Sequence, residues 1–127
     1  DQRSHIVVAS YNGVVLLAGQ TPREELKQMA EQAASGVQRV KRVHNELQIL
    51  QPSSALARSN DSWLTTKIKT QMLADNSVPG SRIKVITENG IVYLLGLVTR
   101  QEGSRATNLV QGVAGVQRIV KLFEYID

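Results

Sequence analysis

The sequence predicts an α/β protein built as two related units, each a three-stranded mixed sheet with helices packed on it. The first observation is a repeat, because the segment Asn12 to Gly19 returns 77 residues later as Asn89 to Gly96. The second is that the Asn-Gly pair opening each copy supplies the two positive-φ residues of a type I′ turn, which joins two strands as a hairpin. The third is that a helical pattern and a further extended segment follow each hairpin. These observations indicate a tandem duplication of a small mixed domain.

Composition and charge narrow the class of protein. The content of 42% hydrophobic and 20% charged residues is typical of a folded globular chain. No apolar run approaches the ~20 residues of a membrane-spanning helix, and no signal peptide is recognisable. The chain has no cysteine, which excludes disulfides, thiolate metal sites and cysteine nucleophiles. The net charge of +4 is spread evenly over the two halves, so it suits an anionic surface without singling out nucleic acid.

The first unit is predicted to span residues 1–50 and to contain three strands. Extended segments at His5–Tyr11 and Val14–Gly19 form the hairpin. The second of these strands has five apolar residues in a row, which predicts that both of its faces are covered. The third strand is predicted over Val40–Leu50.

The helix of the first unit lies between its second and third strands. Thr21 and Glu24 fit a capping box, with Pro22 at the first helical position. Gly36 is the expected stop. One apolar stripe is predicted to pack on the sheet; it consists of Leu26, Met29, Ala30 and Ala33.

The second unit is predicted to span residues 61–127, after a Pro/Ser-containing linker at 51–60. It begins with a helix from about Ser62 to Asp75, for which Asn60, Asp61 and Ser62 offer N-caps. The remaining elements repeat the first unit: strands at Ser81–Thr87 and Ile91–Val98, a helix at Arg100–Val113 opened by a Thr99/Glu102 capping box, and a strand at Val116–Ile126. A first unit built in the same way requires a helix before Asp1, so we expect an N-terminal truncation.

The 62–75 helix has two chemically different faces. The face expected to pack on the sheet carries Leu64, Ile68, Gln71, Met72 and Asp75. The opposite face carries Trp63, Thr66, Thr70 and Leu73, flanked by Lys67 and Lys69. An exposed indole and leucine ringed by ammonium groups form a surface suited to the interface of an anionic membrane. The alternative is that Trp63 packs against the first domain or the linker.

A family resemblance rests on several of these segments. Asn89-Gly90, the strand exit Leu95 to Thr99, and Gly115-Val116 at the entry to the last strand resemble BON domains. The segment Asn60 to Lys67 resembles the start of the second domain in the dual BON-domain lipoproteins of the Gram-negative outer membrane. The resemblance covers essentially the whole chain. It implies the fold αββαβ twice, with the first domain lacking its N-terminal helix here.

The same resemblance implies a function. Proteins of this family are expected to face the periplasm at the inner leaflet of the outer membrane, to support envelope integrity, and to bind anionic phospholipids such as phosphatidylglycerol and cardiolipin through the first helix of the second domain. The lipidated cysteine that anchors such proteins is expected upstream and is absent from this chain. Carried over by residue, lipid contact falls on Trp63, Thr66, Lys67, Lys69 and Thr70, and the helical wheel adds Leu73.

Other functional classes find less support in the residues. His5 and His44 have no carboxylate or histidine at ligand spacing, so the sequence favours neither a metal site nor a general base, and we expect no enzyme and no cofactor. Basic residues are scattered, which argues against nucleic acid as a partner. We expect a monomer, and the alternative function is a protein-interaction adaptor of the cell envelope that uses the Trp63 face. Structural roles are expected for Gly13 and Gly90 in the turns and for Gly19 and Gly96 at close backbone contacts.

The run Arg39-Lys41-Arg42 has two interpretations. It brackets strand residues and is typical of a solvated sheet edge. The alternative is a second contact with lipid phosphates.

Overall fold

The computed structural model describes residues 3–127, and the chain divides into two compact units between Ser54 and Ala55. Each unit contains its own mixed sheet and its own helices, which confirms the predicted fold class. The two units are described separately below.

A hairpin of two strands forms the centre of the first unit. β1 (His5–Tyr11) and β2 (Val14–Thr21) are antiparallel, and Tyr11 pairs with Val14 across the turn. Asn12 and Gly13 have φ angles of 52° and 81°, so the predicted type I′ geometry is confirmed. Every residue of β2 is buried, as its unbroken apolar run predicts.

The helix of this unit, α1 (Glu24–Ser35), begins later than predicted, and the Thr21/Glu24 capping box is wrong. Arg23 is the N-cap residue, and its side chain makes no capping hydrogen bond. Thr21 instead ends β2, where its buried hydroxyl lies 2.9 Å from that of Ser4. The strand therefore continues through the residue that would have capped the helix.

The predicted apolar stripe of α1 is only partly correct. Met29 is 61% exposed and Ala33 is also exposed, whereas Ala30 and Ala34 pack against the core. The contacting residues follow an i, i+4 ridge, which is narrower than the predicted stripe. No residue of α1 is fully buried, so the helix contributes only partly buried side chains to the core of its unit.

The third strand of the first unit is interrupted. β3 (Arg42–Asn45) and β4 (Gln48–Ile49) both run parallel to β2. Asn45 pairs with Leu17 and Gln48 with Gln20, so the register is unchanged and the break lies opposite Ala18 and Gly19. Gly19 has a φ angle of 116°, outside regular β geometry, and lies opposite this break.

The second unit begins with the longest helix of the described chain, α2 (Ala55–Ala74). Residues 55–60, which were predicted to lie in the linker, form the first turns of this helix. Ala55, Leu56, Ala57 and Arg58 all have high helix propensity, so the helix starts two turns before the polar residues that looked like caps. Gln71 and Asp75 are exposed and do not belong to the buried face, also contrary to prediction.

The rest of the second unit repeats the first. After a 3₁₀ turn at Gly80–Arg82, the hairpin strands β5 (Ile83–Glu88) and β6 (Ile91–Val98) are antiparallel. Here the predicted capping box is confirmed, because Thr99 and Glu102 exchange side-chain and backbone hydrogen bonds at the start of helix α3. The remaining elements are α3 (Arg100–Gln111), β7 (Arg118–Lys121) and β8 (Glu124–Tyr125), with β7 and β8 parallel to β6 and separated by a break like that of the first unit.

The cores of the two units differ in size. In the second unit α2 and α3 pack on the same sheet, and the buried cluster includes Leu64, Ile68 and Met72 from α2 together with Val92 and Leu94 from β6. In the first unit the corresponding cluster of buried residues consists of Val15, Leu17 and Leu47.

Candidate functional site

Helix α2 is held on its sheet in one rotational position. Leu64, Ile68 and Met72 are each at most 1% exposed and point into the core. Two polar ties fix the same face. The carboxylate of Asp61, itself 4% exposed, accepts the backbone N–H groups of Asn89 at 2.7 Å and Gly90 at 2.9 Å. Thr65 donates its hydroxyl proton to the hydroxyl of Thr87 at 2.7 Å.

The opposite side of α2, which we call the outer face, therefore points away from the core of its unit. Trp63 is 63% exposed and Leu73 is 69% exposed. The outer face consists of Trp63, Thr66, Lys67, Lys69, Thr70 and Leu73, of which Lys67 is half-buried and the others are exposed.

One threonine hydroxyl on the outer face already has a hydrogen-bond partner within the helix. Thr70 donates its hydroxyl proton to the carbonyl oxygen of Thr66 at 2.8 Å. Such a bond within the helix satisfies the donor without water. The Thr70 hydroxyl is thus easier to bring against an apolar medium than a hydroxyl group without this bond.

The charge on α2 is positive on its accessible surface. The helix carries Arg58, Lys67 and Lys69, and its acidic residue, Asp61, is buried against the hairpin turn. Asp75 follows the helix, and hydrogen bonds from the Ser77 hydroxyl at 2.6 Å and backbone N–H at 2.9 Å hold the pKa of its carboxyl below the ordinary value. Asp75 therefore stays charged at neutral pH, about 120° around the helix axis from Trp63.

Sequence reasoning missed three residues of this helix. Asp61 was interpreted as an N-cap, whereas its carboxylate binds the turn of the β5–β6 hairpin. Leu56 and Arg58 were assigned to a linker, whereas they are exposed on the first turns of α2. A signal for Leu56 was present, because it precedes Trp63 by seven residues, which is two helical turns.

The four glycines predicted to have structural roles lie in turns or at close backbone contacts. Gly13 and Gly90 adopt φ angles of 81° and 80° in the two turns. A side chain at Gly19 would collide with the carbonyl oxygen of His5, and a Cβ at Gly96 would lie 2.6 Å from the carbonyl oxygen of Arg82. The geometry at all four positions fits a structural role.

The remaining candidate groups do not join the outer face. Burial, and secondarily the charge of Arg42, lower the pKa of the His44 imidazole, which is therefore neutral at pH 7. Arg39, Lys41 and Arg42 are exposed in the first unit. Within residues 3–127, no group of three or more His, Cys, Asp or Glu side chains is arranged to hold a metal ion. None of the helices in this part of the chain is long and apolar enough to cross a membrane.

The chain contains two copies of a hairpin followed by a helix and a parallel strand. In the second copy a leading helix with an exposed tryptophan precedes the hairpin. This arrangement defines a tandem-repeat α/β protein of small domains. The family profile of the BON domain matches residues 1–51 and 60–127. The chain belongs to the BON-domain family. The resemblance to dual BON-domain lipoproteins that the sequence predicts is thereby confirmed, and it agrees with the relatives below.

Three curated relatives match most of the chain. It is 43% identical over 118 residues to "Outer membrane lipoprotein DolP" of Haemophilus influenzae, covering 93% of this chain and 61% of the relative. It is 35% identical to a "21 kDa hemolysin" of Actinobacillus pleuropneumoniae, covering 99% and 65%. It is 32% identical to "Osmotically-inducible protein Y" of Escherichia coli, covering 90% and 58%. The chain thus spans less than two thirds of the length of these relatives.

Proposed function

We propose that this chain is a non-catalytic phospholipid-binding protein that places the outer face of α2 on membranes containing anionic lipids such as phosphatidylglycerol and cardiolipin. The observation that carries the proposal is the exposure of Trp63, at 63%, on the side of α2 opposite its buried residues. An indole at headgroup depth places its apolar ring in the acyl region and its N–H among polar groups. Lys67 and Lys69 flank it and would meet lipid phosphates.

The expected strength of this contact follows from its parts. Partial burial of Trp63 and Leu73 would contribute about 2–4 kcal/mol. Each lysine adds about 1 kcal/mol near an anionic leaflet. Before the cost of association this corresponds to a weak and reversible contact, so lasting attachment needs a second anchor. Such a face responds to the lipid charge without holding the protein by itself.

The relatives support a location for this activity. The Haemophilus influenzae relative is named as an outer membrane lipoprotein. We place the present chain correspondingly in the periplasm, at the inner leaflet of the outer membrane, where contact with anionic lipid would support envelope integrity. The net charge of +4 is compatible with such a surface.

The test is a titration with vesicles of phosphatidylcholine alone and of phosphatidylcholine with phosphatidylglycerol. Trp63 is the sole tryptophan, so its fluorescence reports the outer face directly. We expect a blue shift and co-pelleting only with the anionic vesicles. We also expect pelleting to weaken at least tenfold in Trp63→Ala and, on anionic vesicles, severalfold in Lys67→Gln.

A matched control comes from the first unit. Met29 is 61% exposed on α1, so Met29→Ala removes a comparably exposed apolar group outside the outer face. This variant should pellet like the wild type. No blue shift on anionic vesicles, or equal pelleting on both vesicle types, would reject the proposal and make the envelope adaptor the leading function. An exposed tryptophan is also typical of a protein-binding hot spot.

A further inference from the structure

The first two turns of α2 carry an apolar group that the proposed lipid contacts do not include. Leu56 is 81% exposed, the largest exposed fraction among the large hydrophobic side chains of the described residues. It lies within the helix rather than in a loop, because α2 begins at Ala55. Its direction is therefore set by the helix, whose rotation is fixed by Asp61 and Thr65.

Leu56 lies in line with Trp63. The two are seven residues apart, which places their side chains within about 20° of each other around the axis and about 10 Å apart along it. Leu73 lies about 15 Å beyond Trp63 in the other direction and about 80° around the axis. The three exposed apolar groups thus form a row about 25 Å long, nearly the whole length of the helix, that spans about 100° around the axis from Leu56 to Leu73. Ser59, Thr66 and Thr70 are the exposed hydroxyl residues along this row.

The charge beside this row also extends to the start of the helix. Arg58 is exposed and lies on the same flank of α2 as Lys69, about 20° from it in helical projection. Asp61, the acid in this part of the helix, is 4% exposed and is bound to the backbone of the β5–β6 turn. The accessible charge along α2 is therefore positive at both ends of the row.

We propose that membrane contact runs along the full length of α2, with Leu56 as a third apolar anchor and Arg58 as a further phosphate contact. This proposal rests on the proposed function and extends its site by two helical turns. The helix then lies parallel to the bilayer plane, since three anchors distributed over about 25 Å can enter a flat interface together only in that orientation. The positive charge beside the row is complementary to an anionic leaflet.

A bilayer is favoured over a protein groove by the shape of this row. The apolar groups are spaced about two and three turns apart and are separated by small polar residues, with cations on the flanks. A helix that binds a protein groove usually presents a closer i, i+3/i+4, i+7 series of anchors. On α2 that closer series exists on the inner face, as Leu64, Ile68 and Met72, and it is already used by the core.

The direct test uses the absence of cysteine from the chain. Leu56→Cys creates a single thiol that takes an environment-sensitive fluorophore, and Met29→Cys provides the same label on α1. With vesicles containing phosphatidylglycerol, the label at position 56 should shift to the blue and be quenched by lipids carrying a quencher near the headgroup. The label at position 29 should do neither.

Binding measurements complete the test in the full chain. Leu56→Gln keeps a good helix former and should raise the Kd for anionic vesicles about fivefold to tenfold, whereas Met29→Gln should leave it unchanged. Arg58→Gln should raise the Kd about threefold to fivefold on anionic vesicles, and Arg23→Gln, at an exposed arginine of the first unit, should not. Trp63 fluorescence remains available in all four variants as a check that the rest of the face still binds.

The outcomes separate the two proposals. If the wild type binds and Trp63 shifts, but the label at position 56 stays in water and Leu56→Gln binds like the wild type, the extension of the site is wrong and the proposed function stands. If the wild type binds neither vesicle type, both are wrong. A label shift with a protein partner and not with vesicles would also overturn the extension, because it would assign Leu56 to protein binding.

Discussion

The two repeats share a hairpin, but over residues 3–127 they bury its first strand to different extents. Val8 and Val85 occupy equivalent positions in the first strand of each hairpin, 77 residues apart. Val8 is 65% exposed, whereas Val85 is 3% exposed and packs in the cluster that includes α2. Ile6 and Ile83 differ in the same direction, at 39% and 7% exposed. Over residues 3–127 this strand is thus more exposed in the first repeat than in the second, where α2 belongs to the cluster that buries it.

The loop before the last strand shows a second difference. Gly115 in the second repeat has a φ angle of 98°, and a Cβ there would lie 3.2 Å from Leu64 Cδ2. The equivalent residue of the first repeat is Arg39, which is exposed with a φ angle of 72°. The left-handed backbone conformation is thus shared, but in the second repeat a side chain at this position would press against Leu64 of α2.

This comparison indicates that α2 has two separable roles. Its inner face supplies a large part of the second core, and its outer face presents exposed apolar and basic groups. Because the two sets of residues lie on opposite sides of one helix, substitutions on one face should change stability and substitutions on the other should change binding. Truncation of a buried and of an exposed residue on this helix tests the separation.

Ile68→Ala should remove part of the contribution of α2 to the core of the second unit. Ile68 is fully buried, so we expect its truncation to lower the free energy of unfolding of the second unit by about 3–4 kcal/mol, through lost burial and an incompletely filled cavity. The measurement is urea unfolding combined with hydrogen exchange of the β6 amides. Exchange from β2 should be much less affected.

Leu73→Ala is the matched control for Ile68→Ala on the same helix. Leu73 is 69% exposed, so its truncation should change stability by less than about 0.5 kcal/mol while it weakens vesicle binding. Equal stability losses in the two variants would show that the faces of α2 are not separable.

Asp61→Ala should remove the tie between α2 and the hairpin turn. The half-buried N–H group of Asn89 and the buried N–H group of Gly90 lose their acceptor, so we expect a stability loss of about 2–3 kcal/mol in the second unit. Amide exchange at Asn89 and Gly90 should accelerate, whereas exchange at the equivalent Asn12 and Gly13 should not. Asp61→Asn, which keeps one acceptor oxygen, should give an intermediate loss. Unchanged protection at Asn89 and Gly90 would contradict the tie.

Most of the fold could be predicted from the sequence, because its strongest signals are local. The Asn-Gly turns fix the hairpins by their backbone requirement alone, and the observed φ angles agree. The helical spacing around Ile68 separates the buried and exposed faces of α2 without knowledge of the rest of the chain. The candidate site was predictable to the same extent, since Trp63 and Leu73 fall opposite the buried stripe.

The features that could not be predicted depend on tertiary contacts. The pattern around Thr21 fits a capping box as well as the pattern around Thr99, but pairing of Thr21 with Ile49 extends β2 through the capping position. Asp61 resembles a helix cap in the sequence, and only the position of the β5–β6 turn shows what its carboxylate binds. The early start of α2, and with it Leu56, was hidden by the Pro/Ser content of the preceding segment.

The smallest expected effect concerns the capping box that only the second repeat forms. At the start of α3, the backbone N–H of Thr99 donates to the Glu102 carboxylate at 2.9 Å, and Arg82 lies 2.8 Å from its other oxygen. These contacts, the Thr99 backbone bond first, hold the pKa of Glu102 below its ordinary value. The folded state therefore favours the carboxylate, and the stability it contributes is present at neutral pH.

Because the folded-state pKa of Glu102 is lowered, this contribution is lost as the pH falls below the ordinary glutamate value and through the folded pKa. Glu102→Ala should therefore destabilise the second unit at pH 7, by less than Ile68→Ala or Asp61→Ala. The difference in stability from the wild type should shrink steadily as the pH is lowered from about 5 to 3. Glu24→Ala is the matched variant in the first repeat, where α1 has no side-chain cap, and it should show a smaller loss at pH 7. Urea midpoints followed by exchange of the α3 and α1 amides provide the measurement. Equal losses in the two variants, or a Glu102→Ala loss that grows on acidification, would show that the capping box does not distinguish the repeats.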